Sequence, residues 1–299
     1  MPEADDSQRF DAVGGTRFSD VEWYAEIGST NTELLERARS GAPEGLVMIA
    51  DLQTAGRGRR GRRWTAPPGT SLMMSVLLRP PHAALPTSRA SLVTLALGLA
   101  AADACDETSG VRPRLKWPND LVVSRADEPG QPDRKVAGIL AESITGGGRL
   151  EALVIGMGLN TGWPQVPPEL AAIATSLNVE SGAPVDRTLL ARRVLEGFER
   201  RYVRLCGGDG GDGAALLDEA RRCSATLGRR VRIEFDAAAL RTPNGRDAAG
   251  RADANALEGV ATDLDADGRL LVTDLHGVVH TVAVGDVVHL RAATGDAVK

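Results

Sequence analysis

From Gly28 onward the apolar positions follow two periods. In GSTNTELLERARSG, Leu34, Leu35 and Ala38 share one side of a 3.6-residue repeat, with Thr30 as N-cap, Glu33 as its capping-box partner and Gly41 as the stop. The spacing predicts a helix there. Runs of branched residues, GLVMIA from Gly45 and TSLMMSVLL from Thr70, predict two strands, so the intervening QTAGRGRRGRRW of residues 53–64 is a loop between them. A long helix around Ser91 to Ala104 is followed by three β-rich segments, RLKWPNDLVV, KVAGILAESI and LEALVIGMGLN. Helical periodicity returns in DRTLLARRVLEGFERRYVRL and GAALLDEARRCSATLG. Mixed strands with a few helices imply an α+β or α/β layer over 21–225.

After Leu227 the texture changes. GRRVRIEF and the stretch from Leu257 to Leu290 hold four or five short alternating strands with turn chemistry at DADG and LHG, which predicts a small β-barrel or sandwich as a second domain over 226–292. RTPNGRDAAGRADAN, residues 241–255, is expected to be a mobile hairpin tip or disordered. Residues 1–20 and 293–299 read as tails, the first with too few large apolar residues to bury anything. No internal repeat is found.

The 299-residue chain, with 42% hydrophobic and 25% charged residues, is ordinary for a globular protein. Its net charge of -5 confines any nucleic-acid reading to a local patch. Cys105, Cys206 and Cys223 are odd in number and far apart, which argues against a disulfide framework or a zinc site and fits a reducing cytoplasm. The N-terminus is acidic and polar, and the apolar run from Ser91 falls short of a bilayer span and is interrupted by Asp103, so neither an export signal nor a membrane anchor is expected.

Five arginines and three glycines lie between Ala55 and Trp64 without an acidic residue. Such a loop can be a solvated face, a nucleic-acid contact or a phosphate-binding loop. Missing aromatics for base stacking oppose the second, whereas glycines that admit close approach and guanidinium forks that grip phosphate favour the third. Such a loop is expected to be mobile until it closes on a multiply charged ligand. Of 35 basic residues only Lys116, Lys135 and Lys299 are lysine, and two of these sit in the motif-like KWPND and KVAG. A compact ammonium on a flexible stem suits charge that shifts during a reaction. GSTN is either a plain helix cap or a cap doubling as a ligand site, and GMGLN either a tight turn or a close approach for a flat ligand with Asn160 reading its edge. His82, His276, His280 and His289 show no metal-ligand spacing, and the two histidines of HGVVH would face the same way on a strand. Without a Ser-His-Asp or Cys-His arrangement, an enzyme here would work by positioning and electrostatics.

Taken in order, GSTN, QTAGRGRRGRRW, LKWPNDL, KVAGILAE and GMGLN resemble the biotin protein ligases over about residues 21–180. The resemblance implies an α+β fold with a class II synthetase-like mixed sheet, an SH3-like C-terminal barrel, and conversion of biotin and ATP, with Mg²⁺ as activator, to biotinyl-5'-AMP. The biotin would then pass to a lysine of a biotin carboxyl carrier domain. By the same resemblance Ser29, Thr30, Asn31, Gln53, Gly56, Arg57, Lys135 and Gly138 would hold biotin. Arg59, Arg60, Arg62, Trp64, Lys116, Asn119, Asp120 and Asn160 would hold ATP or the adenylate, with Trp64 beside the adenine and Asn160 reading it. Lys135, Lys116 and Arg59 would be catalytic, and no protein metal site is expected.

Some family members carry an N-terminal winged helix-turn-helix; with only about twenty residues before the first motif, the expectation is a ligase that binds neither DNA nor membrane. Edge-strand pairing with the carrier would select the partner, and a homodimer through a sheet edge is equally compatible with the sequence. The rivals are a lipoate or octanoate protein ligase, opposed by the Arg/Gly loop and KWPND, and a nucleic-acid-binding regulator, opposed by the acidic remainder.

Overall fold

The computed structural model describes residues 15–81, 85–124, 132–166, 168, 170–207, 212–235, 256–283 and 285–290. His82, Lys299 and the 241–255 segment lie outside them. Strand β1 (Val21–Ile27) runs parallel to β2 (Val47–Gln53), with helix α1 (Thr30–Arg39) as the crossover. Strand β3 (Ser71–Leu78) pairs antiparallel with β2 and with β7 (Arg149–Asn160). Beyond β7 come β6 (Arg134–Gly146), β5 (Asp120–Val123) and β4 (Arg114–Lys116), giving one seven-stranded sheet in the order β1-β2-β3-β7-β6-β5-β4. The expected mixed sheet is therefore present, with β1 as a strand the periodicity did not single out.

Alternation along the central strands explains why both faces are covered. Val47, Ile49, Val76, Leu78, Leu153 and Ile155 enter one core, while Met48, Leu77, Ala152 and Val154 point the other way and meet Leu34, Leu35 and Ala38 of α1. The first core is capped by α2 (Ser91–Ser109), the short α3 (Leu177–Ser181), α4 (Arg187–Cys206) and α5 (Gly213–Cys223). The apolar run at Ser91 thus continues further than expected. It is long and apolar enough to cross a bilayer, but 67% of its most apolar window is buried inside the fold.

After α5, strands β8 (Arg230–Glu234), β9 (Ala256–Leu264), β10 (Leu270–Asp274), β11 (Val279–Val282) and β12 (Asp286–His289) form an antiparallel sheet in the order β11-β10-β9-β8-β12. Its inward residues Val231, Ile233, Ala261, Leu270 and Val272 belong to the same continuous core as the first sheet. The C-terminal sheet is packed onto the larger one.

Several local expectations are corrected. Phe18, read as tail, is fully buried and stacks on Phe198 with ring centroids 5.4 Å apart, while Arg17 pairs with Glu44 and Glu199. The helix cap is Ser29 rather than Thr30, its hydroxyl accepting from Thr32 N. Glu33, with no capping role, pairs with Arg37 one turn on. GMGLN is no turn but the end of β7. His276 lies in the β10–β11 turn, its backbone N–H donating to Asp274, and His280 sits on β11 against the same carboxylate, so the two do not line one strand.

Candidate functional site

One cavity of about 320 Å³ opens where the N-terminus of α1, the end of β2, the middle of β3, the first half of β6, the last half of β7 and the β4–β5 turn meet the C-terminal sheet. Thr30 anchors one wall. Its backbone N–H donates to Gln53 Oε1 at 2.8 Å, and its hydroxyl lies 2.7 Å from Ser75 Oγ, which donates to Asn31 Oδ1 at 2.6 Å. Asn31 Nδ2 in turn donates to Glu142 at 3.0 Å and to Leu140 O at 3.3 Å. This buried chain ties helix, β2, β3 and β6 together, and it spends the carbonyl of Gln53, leaving the amide NH₂ for a ligand.

Gly138 and Gly158 are directly opposed on β6 and β7. The Trp64 indole lies on both, so a Cβ at Gly158 would come within 2.6 Å of its Nε1 and one at Gly138 within 3.3 Å of its Cζ3. The indole N–H is buried on the cavity wall without an acceptor among the described residues. Lys135 reaches over the same floor, its Nζ 5.6 Å from the Trp64 ring and 2.7 Å from Asp120 Oδ1. Lys116, opposite Asp120 in the β4–β5 pair, also lines the cavity.

The Arg/Gly segment forms a short hairpin. Trp64 N–H donates to Gly56 O, Gly58 N–H to Arg62 O, and Arg59–Gly61 makes a 3₁₀ turn with Arg60 at φ 55°. Arg57 pairs with Glu142 at 2.9 Å, and Arg59 donates to Asn119 Oδ1 at 2.8 Å, whose own amide is fixed on Ile139 O. Burial pulls the Arg59 guanidinium below the usual arginine value, with Asp286 opposing and Arg60 adding to the shift. In this conformation the loop is folded and held to its neighbours.

Ser29, Thr30, Asn31, Gln53, Arg57, Arg59, Arg62, Trp64, Lys116, Asn119, Asp120, Lys135 and Gly138 all face this cavity. Three sequence-derived candidates do not. Gly56 holds the base of the hairpin, and Arg60 turns toward the C-terminal sheet. Asn160 is 2% exposed with both amide ends engaged, accepting from Ser71 Oγ and donating to Thr175 O. So placed, the Asn160 side chain does not line the cavity, which argues against the adenine-reading role expected of it. Sequence reasoning missed Ser75, Arg63, Glu234, Asp286 and Val287 on the wall, and Glu142, which lies outside the lining but holds Asn31 and Arg57. Only Arg63, in the Arg/Gly loop, and Glu142, the last residue of KVAGILAE, lie within one of the five motifs.

The family model described as Biotin/lipoate A/B protein ligase family matches residues 23–160, and Biotin protein ligase C terminal domain matches residues 249–290. The biotin--[acetyl-CoA-carboxylase] ligase of Mycobacterium tuberculosis is 37% identical over 288 residues, covering 95% of this chain and 93% of that one. The bifunctional ligase/repressor BirA of Bacillus subtilis is 35% identical over 182 residues, 60% of this chain and 53% of its own. In fold the chain is similar to the biotin protein ligase of Aquifex aeolicus in complex with biotin and ATP, at TM-score 0.71 and 23% identity over 92% of this chain and all of that one. With its loop, lysines and helix cap gathered on one cavity and a relative this similar along nearly its whole length, the chain belongs to the biotin protein ligase family.

Proposed function

We propose that the chain activates biotin with ATP and then transfers it to a lysine of a biotin carboxyl carrier domain. The observation that carries this reading is the convergence of Lys116, Lys135 and Arg59 on the cavity that also holds Thr30 and Gln53. In the first step a biotin carboxylate oxygen attacks the α-phosphorus and the bond to the β-phosphate breaks, releasing pyrophosphate. In the second the carrier amine attacks the acyl carbon, the C–O bond to AMP breaks, and the nitrogen loses its proton.

Ser29, Thr30 and Gln53 hold the ureido ring through the two hydroxyls and the Gln53 amide NH₂, braced by Asn31, whose own side-chain amide is shared with Ser75, Glu142 and Leu140. Arg57 and Gly138 complete the biotin end. Lys135 and Lys116 stand where negative charge grows between carboxylate and α-phosphate, Asp120 fixing the Lys135 ammonium at 2.7 Å. Arg59 and Arg62 grip phosphate, and the indole N–H of Trp64 offers the nucleotide a donor beside a flat stacking face. Among the described residues no group of three or more His, Cys, Asp or Glu converges, a donor set that fits Mg²⁺ held mainly by substrate phosphates with Asp120 or its neighbour Asn119 as protein oxygen. When bound, the ion neutralises phosphate charge.

For the carrier, β6 offers an edge. Strand β5 covers it only up to Gly138, and Ala141, Ser143 and Thr145 beyond are exposed. An extended segment of the carrier can pair there, and a homodimer through the same edge would compete with it. Free Cys105, Cys206 and Cys223 suit a reducing cytoplasm as the compartment. The test is incubation with ATP, Mg²⁺ and radiolabelled biotin or lipoate, followed by a carrier domain. Transfer of biotin alone is expected; labelling by lipoate in its place overturns the reading.

A further inference from the structure

The Arg/Gly hairpin is anchored outside its own sheet. Three of its guanidinia meet one carboxylate: Asp286 of β12 lies 3.3 Å from Arg60 Nη1 and 3.8 Å from Arg59 Nη1, and it is hydrogen-bonded by Arg62 Nη2. Arg60 also donates to Glu234 O at 3.0 Å, and Glu234 is the direct cross-strand partner of Asp286 in the β8–β12 pair. Arg59, Arg60 and Asp286 are each about four-fifths buried, with side-chain exposures of 22%, 18% and 19%, whereas Arg62 is 70% exposed. Contacts of this kind are screened far less than pairs in open solvent. Glu234, Asp286, Val287 and Val288 line the cavity itself, so its wall is incomplete without the C-terminal sheet.

On the reading that this cavity makes a biotinyl adenylate, we propose that Asp286 is a positioning residue that latches the Arg/Gly hairpin to the C-terminal sheet and so retains the adenylate between the two steps. The chemistry supplies the need. When pyrophosphate leaves, most of the ligand's negative charge goes with it, and a lid held by phosphates alone would loosen while a reactive mixed anhydride is still inside. A fixed carboxylate on the neighbouring sheet keeps a counter-charge against the arginines at every stage. Arg60, which does not reach the cavity, becomes the anchor of the lid, while Arg59 faces both carboxylate and ligand.

The experiment follows release of adenylate. Wild type, D286A, D286N and D286E full-length proteins are loaded with radiolabelled biotin and ATP, freed of excess nucleotide, and chased. First-step rates are taken from pyrophosphate exchange. D286A and D286N are expected to release adenylate about tenfold faster, roughly 1.4 kcal/mol of retention, and to label serum albumin added as a bystander. D286E restores retention. Release as slow as wild type in D286A, or a fall in first-step rate without faster release, overturns the latch. Failure of the wild type to form any biotinyl adenylate would instead overturn the biotin reading on which it rests.

Discussion

Asp133 and His289 meet across the two sheets, carboxylate oxygen to Nδ1 at 3.2 Å, as the middle of a continuous hydrogen-bonded chain. Trp117 N–H donates to Thr226 Oγ1 at 3.1 Å, Thr226 Oγ1 lies 3.2 Å from His289 Nε2, and Asp133 also receives Arg229 at 2.7 Å. With a proton on Nδ1 donation runs from Trp117 through Thr226 and His289 to Asp133; with Nδ1 bare it accepts from Arg229 Nη1 at 3.2 Å and Nε2 donates to Thr226. The order Thr-His-Asp is that of a nucleophilic triad, but Thr226 is fully buried and its oxygen already accepts from Trp117. The chain instead fixes the segment next to Lys116 and, through Asp133 one residue before it starts, the strand β6 that carries Lys135.

This relationship sets a pH dependence. Burial, then the charges of Lys116 and Arg229, pull His289 from its ordinary 6.5 down to about 4, with Asp133 opposing. Between those values the unfolded chain takes up a proton that the folded one refuses, so this residue's contribution to stability falls as pH drops from 6.5 toward 4. For Asp133, burial is outweighed by the Ser124 hydrogen bond and Arg229, which lower its carboxyl, so its contribution is lost only at more acid pH. Thermal unfolding of wild type is expected to shift downward from about pH 7 to pH 5, and less steeply in H289Q. Equal slopes would refute the assignment.

Gly158→Val tests the floor beneath Trp64. A side chain there occupies the indole's position. The first-step rate should fall roughly 100-fold, since displacement of a site group by about 1 Å has effects of that order. Pyrophosphate exchange close to wild type would show that Trp64 need not lie where it does.

Lys135→Ala removes an ammonium 2.7 Å from Asp120 and beside Gly138. Adenylate formation should slow by about 100- to 1,000-fold, and biotin binding measured by calorimetry should weaken far less. Lys135→Arg should rescue poorly, because a planar fork does not replace a compact charge. Equal losses in rate and binding would leave Lys135 as a biotin ligand only.

Phe18→Ala should cost about 3–5 kcal/mol of stability, as for other buried aromatic truncations. The ring is fully buried against Phe198 and belongs to the main core. Unfolding in urea measures this; a loss under about 1 kcal/mol would mean that the segment before β1 contributes little.

Much of this protein is legible in the sequence because its signals are local. Runs of branched and apolar residues placed β2, β3, β6 and β7, the 3.6-residue repeat placed α1, α4 and α5, and the rarity of lysine marked Lys116 and Lys135. Asn160 stands out in the sequence because an amide after a Gly-x-Gly looks available until its partners, Ser71 and Thr175, are known. Phe18 was missed because one aromatic among polar residues has no period.

The sequence by itself determined which elements form and which residue types carry the chemistry, since propensity, periodicity and composition act over a few neighbours. Only the tertiary structure decided that Asp286 and Glu234, more than 170 positions from Arg60, close the arginine hairpin, and that His289 and Thr226 steady the segment beside Lys116. Those contacts exist because two sheets share one core, and ion pairs and hydrogen bonds depend on distance in space, to which separation along the chain is no guide.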